Sequence, residues 1–286
     1  MIRALAVTLP YPFDLPFMQR ALLASLAVGI FAPMIGTFLV QKRLALIGDG
    51  IGHVAFAGVG AGVLAGGGVW PIRTALVFAV VGALGVEWLR ARRRASGDVA
   101  LALLFYSGLA LGVVLVSRAN SLDGSVLRYL FGQPLTVTDG EIATIARLGA
   151  VIVAVVVVLQ RALFAVVTDE DWSRTAGLPV GLLNSVLAVL SACAVVAAMR
   201  IVGILLVAAL MVLPVASAQL LARSFAGTLR WGIAIGAGSV VVGLGLSFVW
   251  DLAPSGTIVL VATAVFGVLA AATRRATRTL RQEEHG

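Results

Sequence analysis

The sequence predicts an all-α fold: a polytopic transmembrane helix bundle of about eight to nine spans. Two observations predict it. Of the 286 residues 60% are hydrophobic and only 12% charged, with a mean hydropathy of +1.07, so the polar side chains are too few to cover a water-soluble globule. The charges also fall in short clusters between long uncharged stretches, each close to the roughly twenty residues that cross a hydrocarbon core. This composition excludes disorder, a collagen-like fibre and a nucleic-acid module. The net charge of +8 and pI of about 11.1 therefore read as an orientation signal rather than as a surface for an acidic polymer.

Taken in order, residues 1–16 contain Pro10, Pro12 and Pro16, which prevent a continuous helix. They also lack an apolar core ending in a small-x-small cleavage site, so the expectation is an extracytoplasmic N-terminal segment rather than a removable signal. Breaks in apolarity then place helices near 17–40, 51–68, 72–89, 99–117, 142–167, 179–199, 201–222, 231–250 and 257–273. Together these form one transmembrane domain over 17–273, followed by a basic cytoplasmic tail, 274–286. Linkers announce themselves by the glycines at 66–68 before Trp70 and Pro71, by the arginines between Arg90 and Arg94, and by the 251–254 segment ending in Pro254. Between 117 and 147 there is room for a short re-entrant or external helix around 126–131.

Counting Lys and Arg on alternate sides, with the amino terminus outside, gives one face fourteen of the 21: Lys42, Arg43, Arg90, Arg92, Arg93, Arg94, Arg161, Arg174, Arg223, Arg230, Arg274, Arg275, Arg278 and Arg281. That excess makes this face, and the carboxy terminus with it, cytoplasmic. The single Cys193 lies in an apolar run, which excludes a disulfide within the chain and reads as a packing residue.

Glycines recur every fourth position at Gly58, Gly62 and Gly66 and again at Gly232 and Gly236. That spacing aligns them on one helix face and lets neighbouring backbones approach, so they read as helix-packing residues. No GxxxxGK[ST] motif occurs, and the chain has no recognisable nucleotide site.

Twelve of the thirteen acidic residues sit in linkers, tails or helix ends; the other, Asp49, stands where the second apolar run begins. His53, the only histidine outside the tail, follows four residues later, on the same helix face one turn on. An ionisable pair entering a bilayer is costly unless it meets a polar cavity, and carboxylate with imidazole suits a borderline divalent cation such as zinc or manganese. Two alternatives stand beside this metal reading: Asp49 as a helix cap with His53 bonded to a carbonyl, and a proton relay.

The polar segment 168–179 separates two long apolar spans. Asp169, Glu170 and Asp171 favour a helix amino terminus, Trp172 and Ala176 share a face, and Gly177 with Pro179 ends the turn. A short helix along the membrane surface is expected, serving either as a solvated loop or as a docking surface for a cytoplasmic partner. In the seventh span Pro214 frees a carbonyl one turn back and bends the helix, and Ser217 is placed to refill that bond. The bend reads equally as a pathway lining and as packing.

Several of these residues fall in a familiar order: Lys42-Arg43, Gly48-Asp49 with His53, Gly58-Val59, the stretch 129–132, the acidic turn through Ala176-Gly177, 202–207, and 214–218. From about Phe17 to Arg275 the chain resembles the permease subunits of zinc and manganese ABC importers, the zinc-uptake permeases above all. The resemblance implies an ABC importer permease fold in the cell membrane, working as a homodimer with two cytoplasmic ABC ATPase subunits and an extracytoplasmic metal-binding protein. It implies a chain that is no enzyme itself and binds no cofactor, but passes a divalent cation, zinc by expectation. Asp49 and His53 match the family's pathway pair. Glu170, Asp171, Trp172, Arg174, Ala176 and Gly177 match its ATPase-coupling helix. Ala57, where manganese-type relatives often carry proline, favours zinc, and Trp172-Ser173 departs from the usual small or aliphatic pair. The competing readings are a manganese or iron-chelate ABC permease, and an ATP-independent cation channel or proton-coupled carrier.

Overall fold

A computed structural model of the chain describes residues 11–66, 70–92, 97–119 and 124–283. The segment through Pro10, the glycines 67 and 68, Arg93, Arg94 and the last three residues of the tail lie outside the described residues. Eleven α-helices are described: α1 (Pro16–Gln41), α2 (Ile47–Leu64), α3 (Trp70–Ala91), α4 (Gly97–Arg118), α5 (Gly124–Phe131), α6 (Asp139–Thr168), α7 (Glu170–Thr175), α8 (Val180–Val202), α9 (Ile204–Leu221), α10 (Phe225–Val249) and α11 (Pro254–Glu283). There is no strand among the described residues. Among the described residues eight helices are long and apolar enough to cross a membrane, and α9 is a shorter apolar helix. The chain is a multi-pass membrane protein.

Helix ends follow local chemistry. Thr138 and Glu141 close a capping box at the start of α6, the Glu141 carboxylate accepting from Thr138 N at 2.9 Å. Ser224 accepts from Gly227 N at 3.1 Å ahead of α10. Each such cap satisfies amides that the first helical turn leaves open.

The centre is built from α1, α2, α8 and α9, whose apolar side chains are largely buried against one another. Around them α2 packs chiefly on α3 and α4, α1 on α6, α9 and α10, and α9 on α10 and α11. Phe225 links α10 to both α1 and α6, with ring centroids 5.1 Å from Phe38 and 4.8 Å from Phe164.

Three of the predicted packing glycines, Gly58, Gly62 and Gly236, lie at close approaches of neighbouring backbone. A Cβ at Gly58 would lie 2.6 Å from Ala75 Cα, and one at Gly62 would lie 2.5 Å from Pro71 Cα, so the α2–α3 contact is backbone against backbone. On α10, a Cβ at Gly236 would stand 2.5 Å from the Gly29 carbonyl of α1. Gly66 is a correction: α2 ends at Leu64, and Gly66 sits in the following turn, exposed, at φ +124 with nothing near its would-be Cβ. It is there because a left-handed backbone is cheap only for glycine, not because a helix packs on it.

Pro214 lies inside α9, as expected. The Ser217 hydroxyl donates to Leu213 O at 2.8 Å, its own carbonyl four residues back, so it does not refill the Leu210 carbonyl that Pro214 leaves. A serine hydroxyl reaches the carbonyl four residues behind it, and here that carbonyl lies one residue before the proline. The helix expected around 126–131 is α5, whose end meets the one-residue break between α8 and α9. At that break Gly203 has φ +81, and a Cβ there would lie 2.5 Å from Phe131 C.

Candidate functional site

The polypeptide enters α2 through a tight turn. Lys42 closes α1, Arg43 adopts φ 59, Leu44 N donates to Leu39 O at 2.8 Å, and Ile47 N donates to Leu44 O at 3.0 Å. Because α2 starts at Ile47 and not near residue 51, Asp49 stands inside its first turn, where the helix dipole favours a carboxylate by about 0.3–1 kcal/mol. The N-cap is Leu46, which makes no side-chain cap. Asp49 is thus held by the helix without closing its end.

Asp49 Oδ1 and His53 Nε2 are 3.8 Å apart. That is too long for a hydrogen bond, and with ligand distances of about 2.0–2.2 Å on each side the gap can hold a cation between them. The two groups differ in access. Asp49 lines a crevice of about 330 Å³ together with Leu46, Leu101, Ala102, Phe105 and Tyr106. His53 is buried behind it, its ring 4.4 Å from Phe105 in an edge-to-face contact. Its Nδ1 has no hydrogen-bond partner among the described residues, so packing against Phe105 rather than a second polar group sets the ring. Among the described residues no group of three or more His, Cys, Asp or Glu gathers to hold a metal. Phe105 and Tyr106 of α4 were not foreseen; in sequence they are two aromatics in an apolar span.

The 168–179 segment folds as expected. Asp169 accepts from Trp172 N at 2.9 Å and caps α7, and Gly177, at φ +81, ends the turn. Asp171, Trp172, Arg174, Ala176 and Gly177 are exposed, Trp172 by 60%. Ser173 faces inward and is fully buried.

Glu170 turns away from that exposed face. Its Oε1 lies 2.7 Å from Lys42 Nζ and accepts from Asn184 Nδ2 at 3.1 Å, while Lys42 donates to Asn184 Oδ1 at 2.5 Å. The Lys42 side chain is 5% exposed, against 37% for Glu170. Burial pushes the Glu170 carboxyl up, but the Lys42 hydrogen bond and charge, the Asn184 amide and the Arg90 charge outweigh it and hold the group below its ordinary 4.5. Asn184 was not foreseen, although it is one amide in the apolar run that opens α8.

Residues 14–273 match the family described as the ABC 3 transport family. The manganese transport system membrane protein MntC of Listeria innocua is 30% identical over 87% of this chain and 88% of its own length. A Haemophilus influenzae protein named "Probable iron transport system membrane protein" is 31% identical over 89% of this chain and 93% of its own. Among solved structures, PsaBC from Streptococcus pneumoniae in complex with Fab superposes with a TM-score of 0.79 at 29% identity, covering 90% of this chain and 91% of that one.

Proposed function

The chain belongs to the ABC 3 transport family, and from that premise we infer that it is the membrane-spanning permease of an ATP-driven importer for a divalent metal cation. The observation that carries this reading is the Asp49–His53 pair, set in the opening of α2 with its carboxylate on an accessible crevice. Two ligands make a weak site, which suits a passage in which the cation must also leave. Water or a second copy of the chain completes the coordination. Relatives named for manganese transport support manganese as cargo beside the zinc expected from Ala57.

In this reading residues 1–16 are extracytoplasmic, 17–273 form the permease domain and 274–286 are a cytoplasmic tail. A metal-binding protein delivers the cation from outside. Two ATPase chains dock on the exposed side chains of α7, and their cycle rocks the bundle between outward and inward states. The hydrolysis belongs to those chains, and this one needs no cofactor.

Metal uptake into proteoliposomes, by the complex purified with its ATPase and supplied with its binding protein, tests this reading. ATP-dependent accumulation of manganese or zinc is expected. An Asp49→Ala, His53→Ala double variant should lose it by more than the roughly tenfold that even outer-shell substitutions cost a metal site. Normal transport by that variant points to a bulky chelate as cargo, and uptake by the purified chain without ATPase points to a channel or carrier.

A further inference from the structure

The Lys42–Glu170–Asn184 cluster has a geometry that a loose surface ion pair lacks. Three places distant in sequence meet in it: the residue that caps the end of α1, the first residue of α7 and the first turns of α8. The ammonium is almost sealed from solvent, and both of its partners also bond each other, so the three side chains hold one arrangement. Glu170 and Asn184 lie fourteen residues apart across the α7–α8 turn, and Lys42 joins that turn to a part of the chain 142 residues from Asn184. A flexible, half-solvated pair would not do this.

Lys42 also lies close along the chain to the candidate cation pair. Between Lys42 and Asp49 runs the tight turn through Arg43, braced by the Leu44–Leu39 and Ile47–Leu44 hydrogen bonds, with Leu44 and Ile47 buried. Such a turn passes on a displacement rather than absorbing it. On the reading of the chain as an ATP-driven permease, we propose that Lys42 is a positioning residue that fastens α7 to the α1–α2 turn, so that movement imposed on α7 is delivered to the Asp49 end of α2. Glu170 is the contact through which α7 pulls, and Asn184 keeps the pair in register. Exposed Asp171, Trp172 and Arg174 receive the ATPase; buried Lys42 passes its motion inward.

The test measures metal uptake and ATP hydrolysis side by side, in proteoliposomes holding the whole complex with its binding protein. Lys42→Met is expected to keep ATP hydrolysis while uptake per ATP falls by about 5- to 150-fold, the range typical of a lost coupling between sites. The exchange variant Lys42→Glu, Glu170→Lys restores the opposite charges, and Asn184 can donate to one and accept from the other in either order. Recovery of uptake per ATP by the exchange supports the proposal. Wild-type uptake per ATP in Lys42→Met overturns it, as does a parallel loss of hydrolysis and uptake that the exchange fails to restore. Unaltered Lys42→Met coupling alongside a dead Asp49→Ala variant sinks the fastening alone, whereas no cation uptake by the unaltered complex sinks the permease itself.

Discussion

Asp49 and His53 show how two side chains can matter more than their sequence spacing reveals. A four-residue interval aligns them, but the packing of α4 on α2 leaves the carboxylate on the crevice and the imidazole behind Phe105. Removing the imidazole leaves Asp49 as the one side-chain ligand of the pair, so cation binding by a His53→Ala complex, followed by titration calorimetry, should be weaker by at least about tenfold. The pair itself was legible in the sequence because charge is so scarce there. Its depth, the aromatic wall from α4 and the partnerless Nδ1 were not, since each depends on which helix lies against α2. Glycine spacing was legible to a similar degree: Gly58 and Gly62 lie on backbone contacts, whereas Gly66 continues the interval past the end of the helix. A Gly62→Val change forces side-chain atoms against Pro71 and should destabilise the protein by about 1–3 kcal/mol. Gly85→Ala, with open space at its Cβ, should not. Thermal midpoints in detergent compare the two.

Among the elements, α7 divides its residues between two directions. Its cap and its stop were readable from Asp169, Gly177 and Pro179, but the inward turn of Glu170 was not, because Lys42 and Asn184 lie far away in the chain. Trp172→Ala should reduce co-purification of the ATPase while leaving the thermal midpoint of the permease in place. The ion pair should behave in the opposite manner to a stability anchor. With Glu170 over a third exposed, its pairing stabilises the fold by at most about 1 kcal/mol. Since its carboxyl is held below 4.5 in the folded chain, that contribution is complete above about pH 4.5 and is lost only as pH falls through the lowered value. The groups that act on it are the Lys42 ammonium, the neutral Asn184 amide and the Arg90 guanidinium. The difference in thermal midpoint between the native chain and Glu170→Gln should accordingly stay constant from pH 8 to about pH 5 and shrink below that.

At the scale of the whole molecule, the apolar composition and the clustering of arginines made the number of spans and the single-bundle architecture readable. Packing order was not readable: nothing in the sequence says that α2 sits between α3 and α4, or that α5 ends on the break at Gly203. Orientation rests on the excess of Lys and Arg on one face. A single cysteine placed at Trp172 in a Cys193→Ser background should be labelled by a membrane-impermeant maleimide only when the cytoplasmic face is open to the reagent.

The most direct measurement is an anomalous difference map, at the manganese or zinc absorption edge, from crystals of the complex soaked in that metal. A peak within about 2.0–2.2 Å of an Asp49 oxygen and His53 Nε2 is expected. A transported cation found only at positions away from both side chains, with the crevice beside Asp49 closed, would contradict it.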